Sequence, residues 1–121
     1  MSKRVLIVDD EETLTFSLYQ SFILLKNDFE VVTANSGEEA VSKIRENPFN
    51  LVITDIFMPG MSGFELLDVI KKQFPETKVV VMTAYGSSEH KDEAIEKGAI
   101  HYLEKPFEIK EFKQLVINIL E

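Results

Sequence analysis

The sequence contains no cysteine and no apolar run long enough to span a membrane. Without cysteine, the chain cannot form a disulfide, use a thiolate nucleophile or bind zinc through sulfur. The apolar stretch near the N-terminus covers only residues 5–8, which is far too short for a signal peptide or a membrane span. We therefore expect a soluble, cytoplasmic protein that does not engage a membrane.

The sequence also has few positively charged residues. The chain has 13 lysines and arginines against 21 aspartates and glutamates, which gives a formal net charge of −8. Such a surface repels nucleic acid phosphates, and the sequence shows no basic patch interleaved with aromatic residues. We expect no direct binding to DNA or RNA, so any effect on transcription would require a partner or a further domain.

Short apolar runs mark the predicted strands. The strongest lie at residues 5–8, 51–53 and 79–82, are rich in valine and isoleucine, and do not alternate with polar residues. This pattern is typical of strands buried on both faces, as in a parallel sheet. Weaker strand candidates lie at residues 30–33 and 100–103.

Helical periodicity fills the intervals between these strands. Ser36 and Ser62 each precede a glutamate by three residues, which is the pattern of a capping box at a helix start. Gly98 stands where a glycine would end the fourth helix. The β-α order, repeated five times, predicts an α/β fold with helices on both faces of a parallel sheet. We expect a single domain over residues 1–121, with no output domain in this chain.

Charged and hydroxyl residues stand at the ends of four predicted strands, where sites form in parallel sheets. They are Asp9 and Asp10 after the first strand, Asp55 after the third, Thr83 after the fourth and Lys105 after the fifth. Clustered carboxylates repel one another, and a hard divalent cation such as Mg²⁺ can compensate them. A carboxylate held beside Mg²⁺ and a lysine can attack a phosphoryl group in line.

These segments resemble the response-regulator receiver domain, a family that includes the bacterial chemotaxis and sporulation receivers. The resemblance spans nearly the whole chain, and four motifs in order carry it: VLIVDD at 5–10, LVITDIFMPGMSG at 51–63, VVVMTAYG at 79–86 and GAIHYLEKPF at 98–107. It implies a flavodoxin-like (βα)5 fold, which is a doubly wound parallel sheet with strand order 2-1-3-4-5.

The resemblance also implies a role for each site residue. Asp55 is similar to the aspartate that accepts a phosphoryl group from a histidine kinase or a histidine phosphotransfer protein. The implied ligands of Mg²⁺, or of Mn²⁺ in its place, are Asp10 and Asp55 directly, Asp9 through water and the Phe57 backbone carbonyl. Lys105 would pair first with the carboxylate and then with the phosphoryl group. No turnover of a separate substrate is expected.

Thr83 and Tyr102 are similar to the switch pair of the family. Phosphorylation would draw Thr83 toward the phosphoryl group and Tyr102 into the space it leaves, which changes the face formed by the fourth helix, fifth strand and fifth helix. That face would engage a downstream target or a fused output domain, and a homodimer could form through it. The resemblance further implies a cis peptide bond between Lys105 and Pro106.

Two aromatic residues distinguish this chain from a more open site. Phe57 lies two residues after Asp55, and Tyr85 lies two residues after Thr83. In the family, these positions border the path of the hydrolytic water. Bulky rings there should obstruct in-line attack on the aspartyl phosphate, so we expect the phosphoryl group to be lost slowly.

The first helix carries two apolar stripes at helical spacing. One is predicted to face the core: Leu14, Leu18, Phe22 and Leu25. The other consists of Phe16, Tyr19 and Ile23. This second stripe is either covered by the chain between Leu24 and Phe29 or forms a docking surface for the kinase or phosphotransfer protein. We favour docking, because the helix begins close to the predicted phosphorylation site.

The residues leave two other functions open. A Mg²⁺-dependent phosphatase or phosphotransferase of the haloacid-dehalogenase type also uses a nucleophilic aspartate, but its general-acid aspartate would stand where this chain has Phe57. A binding module that has lost phosphorylation is disfavoured, because the complete acidic, hydroxyl and lysine set is present. His90 and His101 lack the neighbouring ligands that zinc requires, and we expect neither to be catalytic; His90 is predicted to lie on an exposed helix face.

Overall fold

The computed structural model describes residues 3–23, 29–84 and 87–121. Strands and helices alternate along these residues. In chain order they are β1 (Lys3–Val8), α1 (Glu12–Ile23), β2 (Phe29–Ala34), α2 (Gly37–Glu46), β3 (Leu51–Asp55), α3 (Gly63–Gln73), β4 (Lys78–Thr83), α4 (Ser88–Glu96), β5 (His101–Glu104) and α5 (Ile109–Leu120).

The strands form one parallel sheet in the order β2-β1-β3-β4-β5, so the predicted fold class and strand order are confirmed. Val8 lies opposite Thr54 in β3, and Asp55 lies opposite Met82 in β4. The carboxyl ends of the central strands are therefore nearly level, and the residues that follow them emerge at one edge of the sheet.

An apolar layer covers each face of the sheet. The layer beneath α2 and α3 includes Ala40, Ile44, Leu66 and Ile70. The layer beneath α1 and α5 includes Leu18, Phe22, Phe112 and Val116. Because both faces are covered, β3 is buried along its whole length, which explains its unbroken apolar pattern. None of the described helices is long and apolar enough to cross a bilayer.

The predicted serine caps begin α2 and α3. At Ser62, the hydroxyl accepts from the Glu65 amide at 3.1 Å and the Glu65 carboxylate accepts from the Ser62 amide at 3.0 Å, which completes a capping box. At Ser36, the hydroxyl accepts from the Glu39 amide, but the Glu39 carboxylate accepts from the Asn35 amide, one residue earlier. Only the cap of α3 therefore has the full reciprocal geometry that the sequence pattern predicts for both.

Helix α4 is attached to the domain by less buried surface than α3. The Ser87 hydroxyl caps its start by accepting from the His90 amide at 3.1 Å. Ala94 is the buried residue within this helix, whereas α3 buries four residues between Gly63 and Ile70. Gly98 has a φ of 106°, so it ends the helix in the left-handed conformation that the sequence predicts.

The two stripes of α1 face different surroundings. Leu18 and Phe22 are buried in the core, as predicted. Phe16 and Ile23 remain 58% and 60% exposed, and Tyr19 lies between them at the border of exposure. Leu25 and the segment proposed to cover this stripe lie outside the described residues. Within the described residues, the second stripe forms an apolar surface beside β2.

Candidate functional site

Lys105 joins the ends of three separate chain segments. Its ammonium group donates to Asp9 Oδ2 at 2.5 Å and to Asp55 Oδ2 at 3.2 Å. Asp9 directly follows β1, Asp55 ends β3, and Lys105 directly follows β5. The Lys105 peptide bond to Pro106 is cis, as the resemblance implied. The sheet therefore brings together one cation and two carboxylates that are far apart in the sequence.

The charged groups of this site are largely removed from water. Asp9 is fully buried, the Asp55 side chain is 9% exposed and that of Lys105 is 10% exposed. Burial raises the pKa of both aspartates, and hydrogen bonding and charge attraction from Lys105 offset part of that rise. Burial alone would lower the pKa of Lys105, but the hydrogen bond to Asp9 and the charges of both aspartates raise it above its usual value. Lys105 is therefore an ammonium at physiological pH.

A third carboxylate, Glu11, completes the acidic cluster. Among the described residues, Asp9, Glu11 and Asp55 can each offer an oxygen within 4.8 Å of the other two. Glu11 also accepts from Lys105 at 3.2 Å, and its amide donates to Asp9 Oδ1 at 2.9 Å. Asp10 is exposed and lies outside this group, so its role as a direct ligand stays a prediction.

The loop after β3 approaches Asp55 through its backbone. The Phe57 amide donates to Asp55 Oδ1 at 3.4 Å, and the Gly63 amide donates to the Ile56 carbonyl at 2.7 Å. A Cβ at Gly63 would lie only 2.1 Å from the Asp55 carbonyl oxygen. Glycine is therefore required where α3 begins beside the acidic site, a feature that its place in the 51–63 motif could have indicated.

Of the two predicted switch residues, Thr83 ends β4, whereas Tyr102 is the second residue of β5 and lies opposite Val81. Thr83 is fully buried, and its carbonyl accepts from the Lys105 amide at 2.9 Å. The Tyr102 hydroxyl is buried, and among the described residues it has no hydrogen-bond partner of good distance and angle. Burial raises the pKa of Tyr102, while the adjacent backbone of Ser87 offsets part of that rise. Thr83 is thus placed beside Lys105, and Tyr102 lies on the neighbouring strand, further from its carboxyl end.

Phe57 and His90 are in contact at the surface. The Phe57 ring is 43% exposed, and its centroid lies 5.1 Å from that of His90 with the ring planes at 71°. His90 is half-buried rather than exposed, because it packs between Phe57 and Phe64. The prediction of an exposed position for His90 is therefore wrong. Tyr85, the other predicted tuning residue, lies outside the described residues.

The fold and the site together define a class of protein. A doubly wound α/β domain holds buried carboxylates and one lysine at the carboxyl edge of its sheet. Asp55 lies between the ends of β1 and β4. It is beside the switch point of the sheet, where β2 lies on one side of β1 and β3 on the other. Oxygen ligands clustered beside an ammonium have the chemistry to hold a hard cation or an anionic group.

Comparison with known proteins identifies the family. The family model described as the response regulator receiver domain matches residues 5–117. The chain is 39% identical to the response regulator protein FleR of Pseudomonas aeruginosa, over 96% of its own length and 24% of that protein. It is 37% identical to Histidine kinase P4 of Formosa agariphila, over 97% of its length and 8% of that protein.

Solved structures agree with this assignment. The crystal structure of a CheY-like receiver domain protein from Methanospirillum hungatei matches with a TM-score of 0.91 and 32% identity, covering 98% of this chain and 93% of that one. The chain belongs to the response regulator receiver domain family. It spans about a quarter of FleR, 24% of its length, and a much smaller part of the kinase.

Proposed function

We propose that Asp55 accepts a phosphoryl group from a phosphohistidine on a histidine kinase or a histidine phosphotransfer protein. The observation that carries this proposal is the contact of Lys105 with the two buried carboxylates of Asp9 and Asp55. In the transfer, a bond forms between an Asp55 oxygen and phosphorus while the phosphorus–nitrogen bond to histidine breaks. The imidazole leaves with the bonding electron pair, and the partner histidine regains a proton from solvent.

The donor set fits Mg²⁺, or Mn²⁺ in its place. Three carboxylates share one ammonium, so the cluster carries surplus negative charge, and all its oxygens are the hard ligands that Mg²⁺ prefers. Asp9, Asp55 and the Phe57 carbonyl would hold the ion, together with either Asp10, as predicted, or Glu11, which lies in the cluster. When bound, the ion neutralises charge on the phosphoryl oxygens.

The chain's own residues perform the remaining tasks. Lys105 holds the Asp55 carboxylate in place before transfer and can move its ammonium to a phosphoryl oxygen afterwards. Thr83 can donate its hydroxyl to another phosphoryl oxygen, because it lies buried at the neighbouring strand end. Tyr102 would follow Thr83 and change the face formed by α4, β5 and α5. That face would bind a downstream protein or a fused output domain, or form a homodimer.

We infer that the domain acts in the cytoplasm as a switch, without turning over a separate substrate. The second stripe of α1 would receive the phosphoryl donor, because its exposed rings lie on the helix that begins beside Asp9 and Glu11. A groove lined by Phe16, Tyr19 and the end of β2 runs along this stripe. A partner that docks there can bring a phosphohistidine to the carboxyl edge of the sheet.

The central experiment is incubation of the chain with Mg²⁺ and acetyl phosphate, followed by intact mass measurement. We expect a mass gain of one phosphoryl group on Asp55, absent in Asp55→Asn and absent when Mg²⁺ is chelated. No gain in the wild-type chain would refute the proposal and favour a binding module. Rapid release of phosphate from many phosphoesters would instead favour a phosphatase.

The docking surface is tested with charge substitutions. Phe16→Glu combined with Tyr19→Glu should abolish transfer from the cognate kinase or phosphotransfer protein but preserve phosphorylation by acetyl phosphate. Ile95→Glu combined with Ile100→Glu is the matched control, because it adds the same charge at two exposed apolar positions away from α1. Equal loss with both phosphoryl donors in the α1 variant would contradict a docking role.

The aromatic residues Phe57 and Tyr85 would lengthen the life of the phosphorylated state. Both follow site residues by two positions, and Phe57 donates its amide to the acceptor carboxylate. Replacement of both by alanine should speed the loss of phosphate after the donor is removed. An unchanged or slower decay would contradict this role.

A further inference from the structure

Phe57 does not stand alone at the surface, because the His90 ring lies against it. The centroids are 5.1 Å apart and the planes meet at 71°, which is the edge-to-face arrangement that aromatic rings prefer. On its other side, the His90 ring lies 6.3 Å from the Phe64 ring with a tilt of 51°. The imidazole therefore connects the loop after β3 with the first turn of α3 and the first turn of α4.

His90 is itself held in a fixed position. Its backbone amide donates to the capping hydroxyl of Ser87 at 3.1 Å, which ties it to the start of α4. Its side chain is half-buried between the two phenyl rings. The cap holds the His90 backbone, and the two ring contacts hold its imidazole. The imidazole can therefore limit the movement of a more exposed ring beside it.

Phe57 is that more exposed neighbour, and it lies next to the acceptor. Its amide donates to Asp55 Oδ1 at 3.4 Å, while its ring is 43% exposed. Each ring contact that an exposed side chain makes reduces the number of rotamers it occupies, and the contact with His90 has this effect on Phe57. Because rotamer and backbone conformation are coupled, a fixed ring also steadies the peptide that faces Asp55.

We propose that His90 is a positioning residue of the phosphoacceptor site, which packs edge-on against Phe57 and thereby prolongs the phosphorylated state of Asp55. The inference rests on the proposed function.

In hydrolysis, a water oxygen forms a bond to phosphorus as the bond between phosphorus and the Asp55 oxygen breaks. Inorganic phosphate leaves, the carboxylate is restored, and the water gives up a proton to solvent. A Phe57 ring held in one place obstructs this water, and a ring that can turn away admits it.

The test is the decay of the phosphorylated chain after acetyl phosphate has been removed by desalting, with Mg²⁺ kept constant. His90→Ala should shorten the half-life by about threefold to tenfold, the rate equivalent of one aromatic contact. His90→Phe keeps a ring at this position and should restore most of the half-life. His101→Ala, at the exposed histidine of β5, is the matched control and should decay like the wild type.

A double-mutant comparison separates positioning from a general structural effect. Phe57→Ala alone should shorten the half-life, and adding His90→Ala should shorten it no further, because the ring that His90 positions is gone. In the single variant His90→Ala, the NMR amide signal of Phe57 should shift or broaden, while His90→Phe should leave it near its wild-type place. His90→Gln provides a second ringless variant if His90→Ala folds poorly.

Two results would overturn the inference. One is a half-life of His90→Ala or His90→Gln equal to that of the wild type. The other is an equal acceleration by His90→Ala in the presence and absence of the Phe57 ring. A wild-type chain that never gains a phosphoryl group would overturn the proposed function as well. If the chain is phosphorylated but loses the phosphoryl group at the same rate with and without the His90 ring, only the role of His90 is overturned.

Discussion

The polar groups at the amino ends of the strands (the amino edge) have different partners from those at the carboxyl ends (the carboxyl edge). At the amino edge, the Asn50 side chain accepts from the Arg4 amide at 2.7 Å, and the Thr77 hydroxyl donates to the Phe49 carbonyl at 2.8 Å. The Arg4 guanidinium also lies 4.2 Å above the centre of the Phe49 ring. At the carboxyl edge, three carboxylates share the single ammonium of Lys105, and burial raises the pKa of two of them.

This difference separates a structural edge from a functional one. The hydrogen bonds that Asn50 and Thr77 make at the amino edge join neutral groups and stabilise the fold. The carboxyl edge keeps ionised carboxylates out of water with too little positive charge, which lowers the free energy of unfolding. The proposed binding of Mg²⁺ and a phosphoryl group accounts for why these groups come together from three chain segments in spite of that cost. The following predictions test this contrast, beginning with the largest expected effect.

Phe49→Ala should strongly destabilise the amino edge. Phe49 is 4% exposed and packs in the core beside the Arg4 guanidinium, so its removal leaves a cavity. We expect the free energy of unfolding, measured by urea denaturation, to fall by about 3 kcal/mol. Phosphorylation by acetyl phosphate at low temperature should persist, because the acidic site is at the opposite edge. A loss of phosphorylation without a loss of stability would contradict the contrast.

Asp55→Asn should stabilise the fold, which is the opposite of the effect expected for Phe49→Ala. Asparagine removes a buried charge but keeps an oxygen that can accept from the Phe57 amide. We expect the free energy of unfolding at pH 7 to rise by about 1 to 2 kcal/mol, because burial disfavours the ionised Asp55 carboxylate by more than Lys105 stabilises it. Thr54→Val, at the buried neighbouring position, is a control that leaves the charge in place.

The stabilisation by Asp55→Asn should depend on pH in a defined direction. Because burial raises the pKa of Asp55 above its unfolded value, the folded chain holds this proton more tightly than the unfolded chain does. The ionised carboxylate therefore destabilises the wild type at neutral pH, and this effect disappears as the pH falls through the raised pKa. The difference between variant and wild type should shrink toward pH 4, and a difference that grows on acidification would contradict it.

Mg²⁺ should reverse part of the destabilisation at the carboxyl edge. At tenfold excess over its dissociation constant, the ion should raise the free energy of unfolding of the wild type by about 1.4 kcal/mol. Thermal denaturation with Mg²⁺ and with a chelator measures this change. Asp55→Asn should respond less, since one ligand has lost its charge, while Phe49→Ala should respond like the wild type. An equal response in all three proteins would mean that the ion acts elsewhere.

Thr77→Val should have the smallest effect of these substitutions on the free energy of unfolding. It keeps the shape of the buried side chain but removes the hydrogen bond to the Phe49 carbonyl. We expect a loss of about 1 kcal/mol in the free energy of unfolding. The loss should be the same with and without Mg²⁺, and any dependence on the ion would show that the two edges are not independent.

Much of the fold and site followed from local patterns. The apolar runs that became β1, β3 and β4 are continuous because both sheet faces are covered, so their chemistry alone indicated a parallel sheet. The residues that follow parallel strands meet at one edge of the sheet, which is why Asp9, Asp55 and Lys105 could be grouped in advance. By contrast, no local pattern distinguished Glu11 from Asp10 as the acidic neighbour of this group, since both follow the same strand.

The hydrophobic pattern of the chain indicated a parallel sheet, and the order of its motifs indicated the family and, through the resemblance, the strand order. Which side chains turn toward the site depends on distances and directions that a linear pattern does not contain. Lys105 bonds to Asp9 more closely than to Asp55, and Glu11 joins the cluster while Asp10 faces water. The contact between Phe57 and His90 likewise depends on how α4 packs beside the loop after β3, which is a matter of distance and direction in space.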